Sequence, residues 1–87
     1  MKLIFFYENK PGPSVLQNEM IDNVEREFKN KIQVERIDAE KNQDLFKKYS
    51  IKEIPSIIIE DGGKQIARFS RLTQELFIKR AIERNSF

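Results

Sequence analysis

Near the start of the chain the hydrophobic positions run together instead of alternating: Leu3, Ile4, Phe5, Phe6 and Tyr7 follow one another without a polar break. A short continuous run rich in aromatic and branched side chains predicts a central strand over residues 2–7, buried on both faces. The pattern then breaks. Asn9, Lys10, Pro11, Gly12 and Pro13 form a loop, because two prolines and a glycine within three residues forbid regular structure. Beyond it, Leu16, Met20, Ile21, Val24 and Phe28 recur at helical spacing, with Glu19, Asp22, Asn23 and Glu25 on the other side. This predicts an amphipathic helix over residues 14–28, starting at Pro13 or Ser14. Proline suits that first turn, where its missing N–H would have had no partner.

Ile32, Val34 and Ile37 mark a second strand, and residues 43–49 a short helix with Leu45, Phe46 and Tyr49 on one side. Ile54 precedes Pro55 and is pushed to an extended conformation, so a third strand starts at Ser56. Gly62-Gly63 permits the positive backbone angles of a tight turn into a fourth strand over residues 65–69. A last helix, capped by Thr73, carries Leu76, Phe77, Ala81 and Ile82. The order is β-α-β-α-β-β-α. Two strands joined through a long helix are parallel with a right-handed crossover, and the hairpin adds an antiparallel pair. The expected fold class is α/β, a four-stranded mixed sheet with helices on both faces, in one domain over residues 1–87. No internal repeat, linker or low-complexity segment interrupts it.

Eighty-seven residues suffice for one core but not for a second, nor for a large enclosed cavity. With 39% hydrophobic and 34% charged residues the composition is that of a globular protein. The longest apolar runs fall far short of a membrane span, and the first strand begins too early to leave room for a signal peptide. A cytoplasmic monomer is expected, with no membrane attachment. Sixteen basic and fourteen acidic residues are interspersed throughout, giving a net charge of +2. That pattern reads as a solvated surface and not as a nucleic-acid-binding face. Histidine and cysteine are absent, which removes the usual zinc, copper and iron ligands. Glu60-Asp61-Gly62-Gly63 lacks the alternating oxygens of a calcium loop and reads as a hairpin turn. No metal and no cofactor are expected.

The loop carries the most specific signal. Residues 4–14, ending in Pro11-Gly12-Pro13-Ser14, resemble the strand-loop-helix of thioredoxins, whose loop ends in Trp-Cys-Gly-Pro-Cys. Gly12 and Pro13 match the middle of that motif, and Pro11 and Ser14 occupy the two cysteine positions. Tyr49-Ser50-Ile51-Lys52-Glu53-Ile54-Pro55-Ser56 is similar to the thioredoxin stretch Tyr-Gly-Ile-x-x-Ile-Pro-Thr, in which a cis proline faces the active-site loop. Asp38 matches the aspartate closing the family's second core strand, and Gly62-Gly63 fits its last hairpin. The resemblance runs from Lys2 to about Glu83. It implies a thioredoxin fold of the shorter, glutaredoxin-sized kind, with a cis bond at Pro55.

The same resemblance implies that the chemistry is gone. A thiolate is the attacking group in disulfide exchange, and neither a proline ring nor an unactivated serine hydroxyl replaces it. Phe5 stands where active members keep a buried aspartate that shuttles a proton. Ser14 is expected to cap the helix, there being no histidine to activate it. Lys10 replaces the tryptophan beside the motif and Arg71 a small glycine in the loop before the last helix. With Lys52 they either ring the former site with positive charge, accepting an acidic or carboxylate-bearing partner, or are three solvated side chains. The backbone at Ile54, Pro55 and Ser56 is the expected retained binding element, since in this family it pairs with an extended peptide or glutathione.

The leading expectation is a redox-inactive, thioredoxin-like binding or scaffold module with no enzymatic activity, docking a protein partner through Lys10, residues 11–14, residues 54–56 and Arg71. Thioredoxin itself serves as a structural subunit of a phage DNA polymerase, and a small phage or bacterial protein fits the composition. Two alternatives remain at this stage. One is a glutathione- or peptide-binding transferase-like domain using Ser14. The other is an altered form of a thioredoxin- or glutaredoxin-type disulfide oxidoreductase whose cysteines have been replaced.

Overall fold

The opening hydrophobic run forms β1 (Lys2–Tyr7), and in the computed structural model, which describes residues 1–85, this strand has a neighbour on each side. It pairs in parallel with β2 (Gln33–Asp38), placing Phe6 opposite Ile37. On its other side it runs antiparallel to β3 (Ser56–Asp61), placing Phe6 opposite Ser56. β4 (Lys64–Ser70) completes the order β2-β1-β3-β4 by pairing antiparallel with β3, with a bulge between Ile59 and Glu60. The helices α1 (Pro13–Glu27), α2 (Gln43–Lys48) and α3 (Glu75–Arg84) fall between these strands in the expected sequence. Gly62 and Gly63, with φ of 61° and 80°, make the two-residue turn of the hairpin in the left-handed region that glycine enters freely.

Because strand side chains alternate between faces, β1 serves two cores. Leu3 and Phe5 join Ile57 and Ile59 beneath Ile21, Val24, Phe28, Ile78 and Ile82 of the α1/α3 side. Ile4 and Phe6 join Ile37 and Ile58 on the α2 side, where Leu45, Phe46, Tyr49 and Ile51 close over them. The Phe6 ring meets the edge of Phe46 with centroids 5.1 Å apart and lies 5.5 Å from Tyr49. Full burial of each large side chain contributes about 1.5–3 kcal/mol, and Leu3 and Phe6 are wholly buried. This is the thioredoxin arrangement, with helices on both faces.

Three local expectations are corrected. On α1 the buried stripe is Ser14, Gln17, Ile21 and Val24, continuing to Phe28, whereas Leu16 is 48% exposed and Met20 only partly covered. The stripe steps by three and four residues from Ser14, a spacing that keeps one helix face on the sheet and leaves Leu16 off it. On α3, Ile78 and Ile82 are buried, while Leu76 and Phe77 point outward, half exposed. Thr73 does not cap α3. The helix begins at Glu75, its N-cap is Gln74 without a side-chain bond, and the Thr73 backbone is engaged elsewhere. No helix among the described residues is long and apolar enough to cross a membrane.

Candidate functional site

β1 and β3 are antiparallel neighbours, so the end of one lies beside the start of the other. Residues 8–12 leave the sheet after Tyr7, and Pro55 enters it just before Ser56, which sits opposite Phe6. Pro11-Gly12-Pro13-Ser14 and Ile54-Pro55-Ser56 therefore emerge at the same end of adjacent strands, as the resemblance implies. The Ile54–Pro55 bond is cis.

The loop is held by its own residues. Gly12 has φ 142° and is the N-cap of α1. This backbone geometry suits a residue without a Cβ, and no heavy atom lies within 4 Å of where a Cβ would be. Its carbonyl accepts the Val15 N–H at 3.1 Å. Pro11 and Pro13 are exposed and lack an N–H, so this stretch offers few backbone donors to a ligand. Ser14 does not cap the helix as expected. It is 5% exposed, and its Oγ accepts the Glu8 N–H at 3.1 Å, closing the loop across six residues. The helix turns Ser14 toward the sheet, because position 14 lies on the same stripe as Gln17 and Ile21. Beneath the loop, Phe5 is 1% exposed and stacks on Tyr7 with centroids 5.6 Å apart. The place of the proton shuttle is filled with apolar contact.

Gln17 is a site-building residue that the hydrophobic pattern missed. Fully buried, it donates from Nε2 to the Thr73 carbonyl at 3.2 Å and accepts the Thr73 N–H on Oε1 at 2.8 Å. The amide thus mimics a neighbouring strand and ties α1 to the loop before α3. The signal was the stripe 14-17-21-24-28, on which Gln17 falls.

On the Pro55 side the expected basic rim is largely neutralised. Arg71 donates from Nε and Nη2 to the two carboxylate oxygens of Glu53, at 2.6 and 2.9 Å. This fork-to-fork pair holds the Glu53 carboxyl below its ordinary range and raises the Arg71 guanidinium above its own. Lys10 lies 3.7 Å from Glu8. Lys52 is exposed, with no ion pair among the described residues. The sequence reading missed both carboxylates because a charge ring counts cations without placing the anions between them. Arg71 has φ 90°, a backbone region unusual for a residue with a side chain, which agrees with its match to a family glycine. Its N–H donates to the Pro55 carbonyl at 2.9 Å, and the Ser56 hydroxyl donates to the Glu53 carbonyl at 2.5 Å. Between these satisfied groups, the N–H and C=O of half-buried Ile54 have no partner among the described residues.

A cleft of about 700 Å³ lies on the other side of the loop, bounded by Tyr7, Lys10, Pro11, Ser14, Val15 and Arg36, and does not include Pro55 or Arg71. Arg36 is paired there with Asp22 and Asn18, at 2.7 and 2.8 Å. No group of three or more potential metal-ligating side chains occurs among the described residues. With no cysteine in the sequence, nothing at this site can form the thiolate that disulfide exchange requires.

Comparisons with known proteins agree with this geometry. The Thioredoxin family model matches residues 2–84. Chloroplastic thioredoxin Y1 of Arabidopsis thaliana is 33% identical over 79 residues, covering 90% of this chain and 46% of that protein. Thioredoxin of Rickettsia felis is 29% identical over 63 residues, covering 72% and 60%. The chain spans about half the length of these relatives. Thioredoxin 1 of Thermosipho africanus superimposes with a TM-score of 0.86 at 26% identity, covering 97% of this chain and 92% of that one. Thioredoxin-2 of a malaria parasite, at 20% identity and TM-score 0.92 with 97% and 82% coverage, shares the fold. Matched from its first strand to its last helix, and keeping the cis proline beside a Gly-Pro loop from which both cysteines are missing, the chain belongs to the thioredoxin family.

Proposed function

We propose that the domain is a redox-inactive docking module, monomeric and cytoplasmic, that holds an extended segment of a protein partner against the backbone at Ile54, Pro55 and Ser56. The Pro11-Gly12-Pro13-Ser14 loop lines one side, and Lys10 and Arg71 stand at the margins. The reading needs no metal, cofactor or nucleic acid. The observation that carries it is that the N–H and C=O of Ile54 have no partner among the described residues, beside a satisfied Pro55 and Ser56. A residue whose N–H and C=O both lack a partner offers a donor and an acceptor for pairing with another chain. The absence of a thiol leaves capture without a covalent step. Pairing of Arg71 with Glu53 means that the margin presents a dipole in place of a bare cation, so backbone pairing and shape carry more of the recognition than charge does. Ser14 is a poor anchor for a glutathione thiolate because it is only 5% exposed, with its Oγ accepting the Glu8 N–H.

Site-specific photo-crosslinking tests the proposal. A benzoylphenylalanine placed at Lys10 or at Leu72 is expected to trap the same partner from host cells, and one placed at Lys29, beyond the far end of α1, is not. Equal trapping at all three positions, or trapping at Lys29 alone, overturns the assignment. Insulin reduction is expected to show no turnover, and any turnover by these residues refutes the redox-inactive reading.

A further inference from the structure

We propose a second docking site, remote from Ile54: the open edge of β4 and the outward face of α3 accept an extended acidic segment of a partner protein as a fifth strand. β4 is last in the sheet order, and its far side pairs with no strand among the described residues. Alternate residues of an edge strand present backbone N–H and C=O groups outward, ready to pair. α3 runs alongside and forms a cleft of about 580 Å³ with it, whose walls include Ile66 and Phe69 from the strand and Phe77, Arg80, Ala81 and Arg84 from the helix. Phe77, Arg80, Ala81 and Arg84 share one helix face by their spacing, and Phe77 is 46% exposed.

Charge selects the occupant. Arg80 and Arg84 make no ion pair among the described residues, in contrast to Lys79 on the same helix, which lies between Glu27 and Glu75. No carboxylate lines the cleft. Arg68 of the strand turns its guanidinium to the α2 side, donating to the Tyr49 carbonyl and to Gln65 Oε1, so the free positive charge of the cleft is that of Arg80 and Arg84. A second copy of this edge would bring like charges together, the usual means by which edges avoid self-pairing. A strand alternating acidic and apolar residues satisfies both halves of the groove, its apolar side chains on Phe69 and Phe77 and its carboxylates on Arg80 and Arg84.

The probe is a capped peptide alternating glutamate and valine, titrated into the whole domain while backbone amide shifts and exchange are followed. Shifts and slowed exchange within Lys64–Ser70 are expected. An alternately N-methylated peptide, which cannot pair, is expected to leave these amides unmoved. Arg80→Glu with Arg84→Glu, both on the surface, is expected to melt like the wild type, to weaken binding about tenfold or more, and to accept a lysine-valine peptide instead. The proposal is overturned by shifts confined to residues 54–56, by equal binding of the double variant, or by equal binding of the N-methylated peptide. It is equally overturned by an oligothymidylate that moves the same amides at lower concentration, or by a dimer of the protein alone that the double variant abolishes.

Discussion

Replacing Gln17 tests whether a polar residue in the core holds the site together. Its amide supplies both hydrogen bonds to the Thr73 backbone, at 2.8 and 3.2 Å, from a fully buried position. Gln17→Met keeps the length and the burial but deprives the Thr73 N–H and C=O of their partner. A buried polar group left unsatisfied costs about 1–3 kcal/mol. Thr73 is only half-buried, so water reaches it and the lower end applies, giving about 2 kcal/mol for the two groups. Gln17→Ala adds a void and the loss of packing, for a total of about 3–4 kcal/mol. In a domain of this size each kcal/mol moves the melting midpoint by about 4–8 °C, so the expected falls are about 10 °C for methionine and about 20 °C for alanine. Urea unfolding followed by circular dichroism, with an unchanged dependence on denaturant, provides the free energies. Amide exchange at Thr73 should accelerate in both variants ahead of global unfolding. If methionine stays within about 0.5 kcal/mol of wild type, the size of a neutral surface change, the two bonds do not hold α1 to the loop and the reasoning fails.

Three further outcomes follow from the same geometry. Ser14→Ala strips the Glu8 N–H of its acceptor and should cost about 1 kcal/mol, with faster exchange at the Glu8 amide; unchanged exchange would show that the hydroxyl does not close the loop. Phe5→Asp returns a carboxyl to a position that is 1% exposed and unpaired. Thermal melts should show a loss of about 3 kcal/mol or more from lost apolar burial and buried polarity, and a loss below about 1 kcal/mol would mean that this core admits water. Glu53 and Glu75 are held below their ordinary value of 4.5 by Arg71, and by Lys79 with Asn23, respectively. A folded-state pKa below the unfolded one means that the unfolded chain binds more protons near that pH. The contribution is therefore present above pH 4.5 and lost as pH falls through the folded values. Glu53→Gln with Glu75→Gln should flatten the fall of the urea midpoint below that pH, by a small amount because both carboxylates reach solvent; an identical fall would remove these pairs as its cause.

The parts of the fold legible in the sequence are those that short-range rules decide. Leu3, Ile4, Phe5 and Phe6 read as a buried strand because no polar residue interrupts them, and Gly62-Gly63 as a turn because few other pairs tolerate two positive φ angles. That the Pro11-Gly12-Pro13-Ser14 loop and Pro55 lie at the same end of adjacent strands was legible through the family resemblance and agrees with the β1–β3 register. What failed needed tertiary knowledge. Leu16 outweighs Gln17 on any hydropathy scale, yet the helix is rotated to put the amide inward, where Thr73 awaits it. Thr73 resembles a cap until its backbone is known to be engaged. The Arg71–Glu53 pair was not visible in the sequence because the two lie 18 residues apart and meet only through the antiparallel β3–β4 hairpin that reverses at Gly62-Gly63. Of the apolar residues on α3, hydropathy alone did not tell that Ile78 and Ile82 fill the core while Leu76 and Phe77 stay half exposed.

The double duty of β1 reaches back to the ribosome. The strand lies between β2 and β3 but precedes both in the chain, so during synthesis its aromatic segment emerges long before either neighbour. The sheet cannot close until Ser56–Asp61 has been made, and of its four strands β1 waits the longest in an adhesive state. Newborn chains of this protein should therefore depend on holding factors most strongly while the first half is outside the tunnel, and truncation before residue 56 should yield aggregates and not a smaller folded unit.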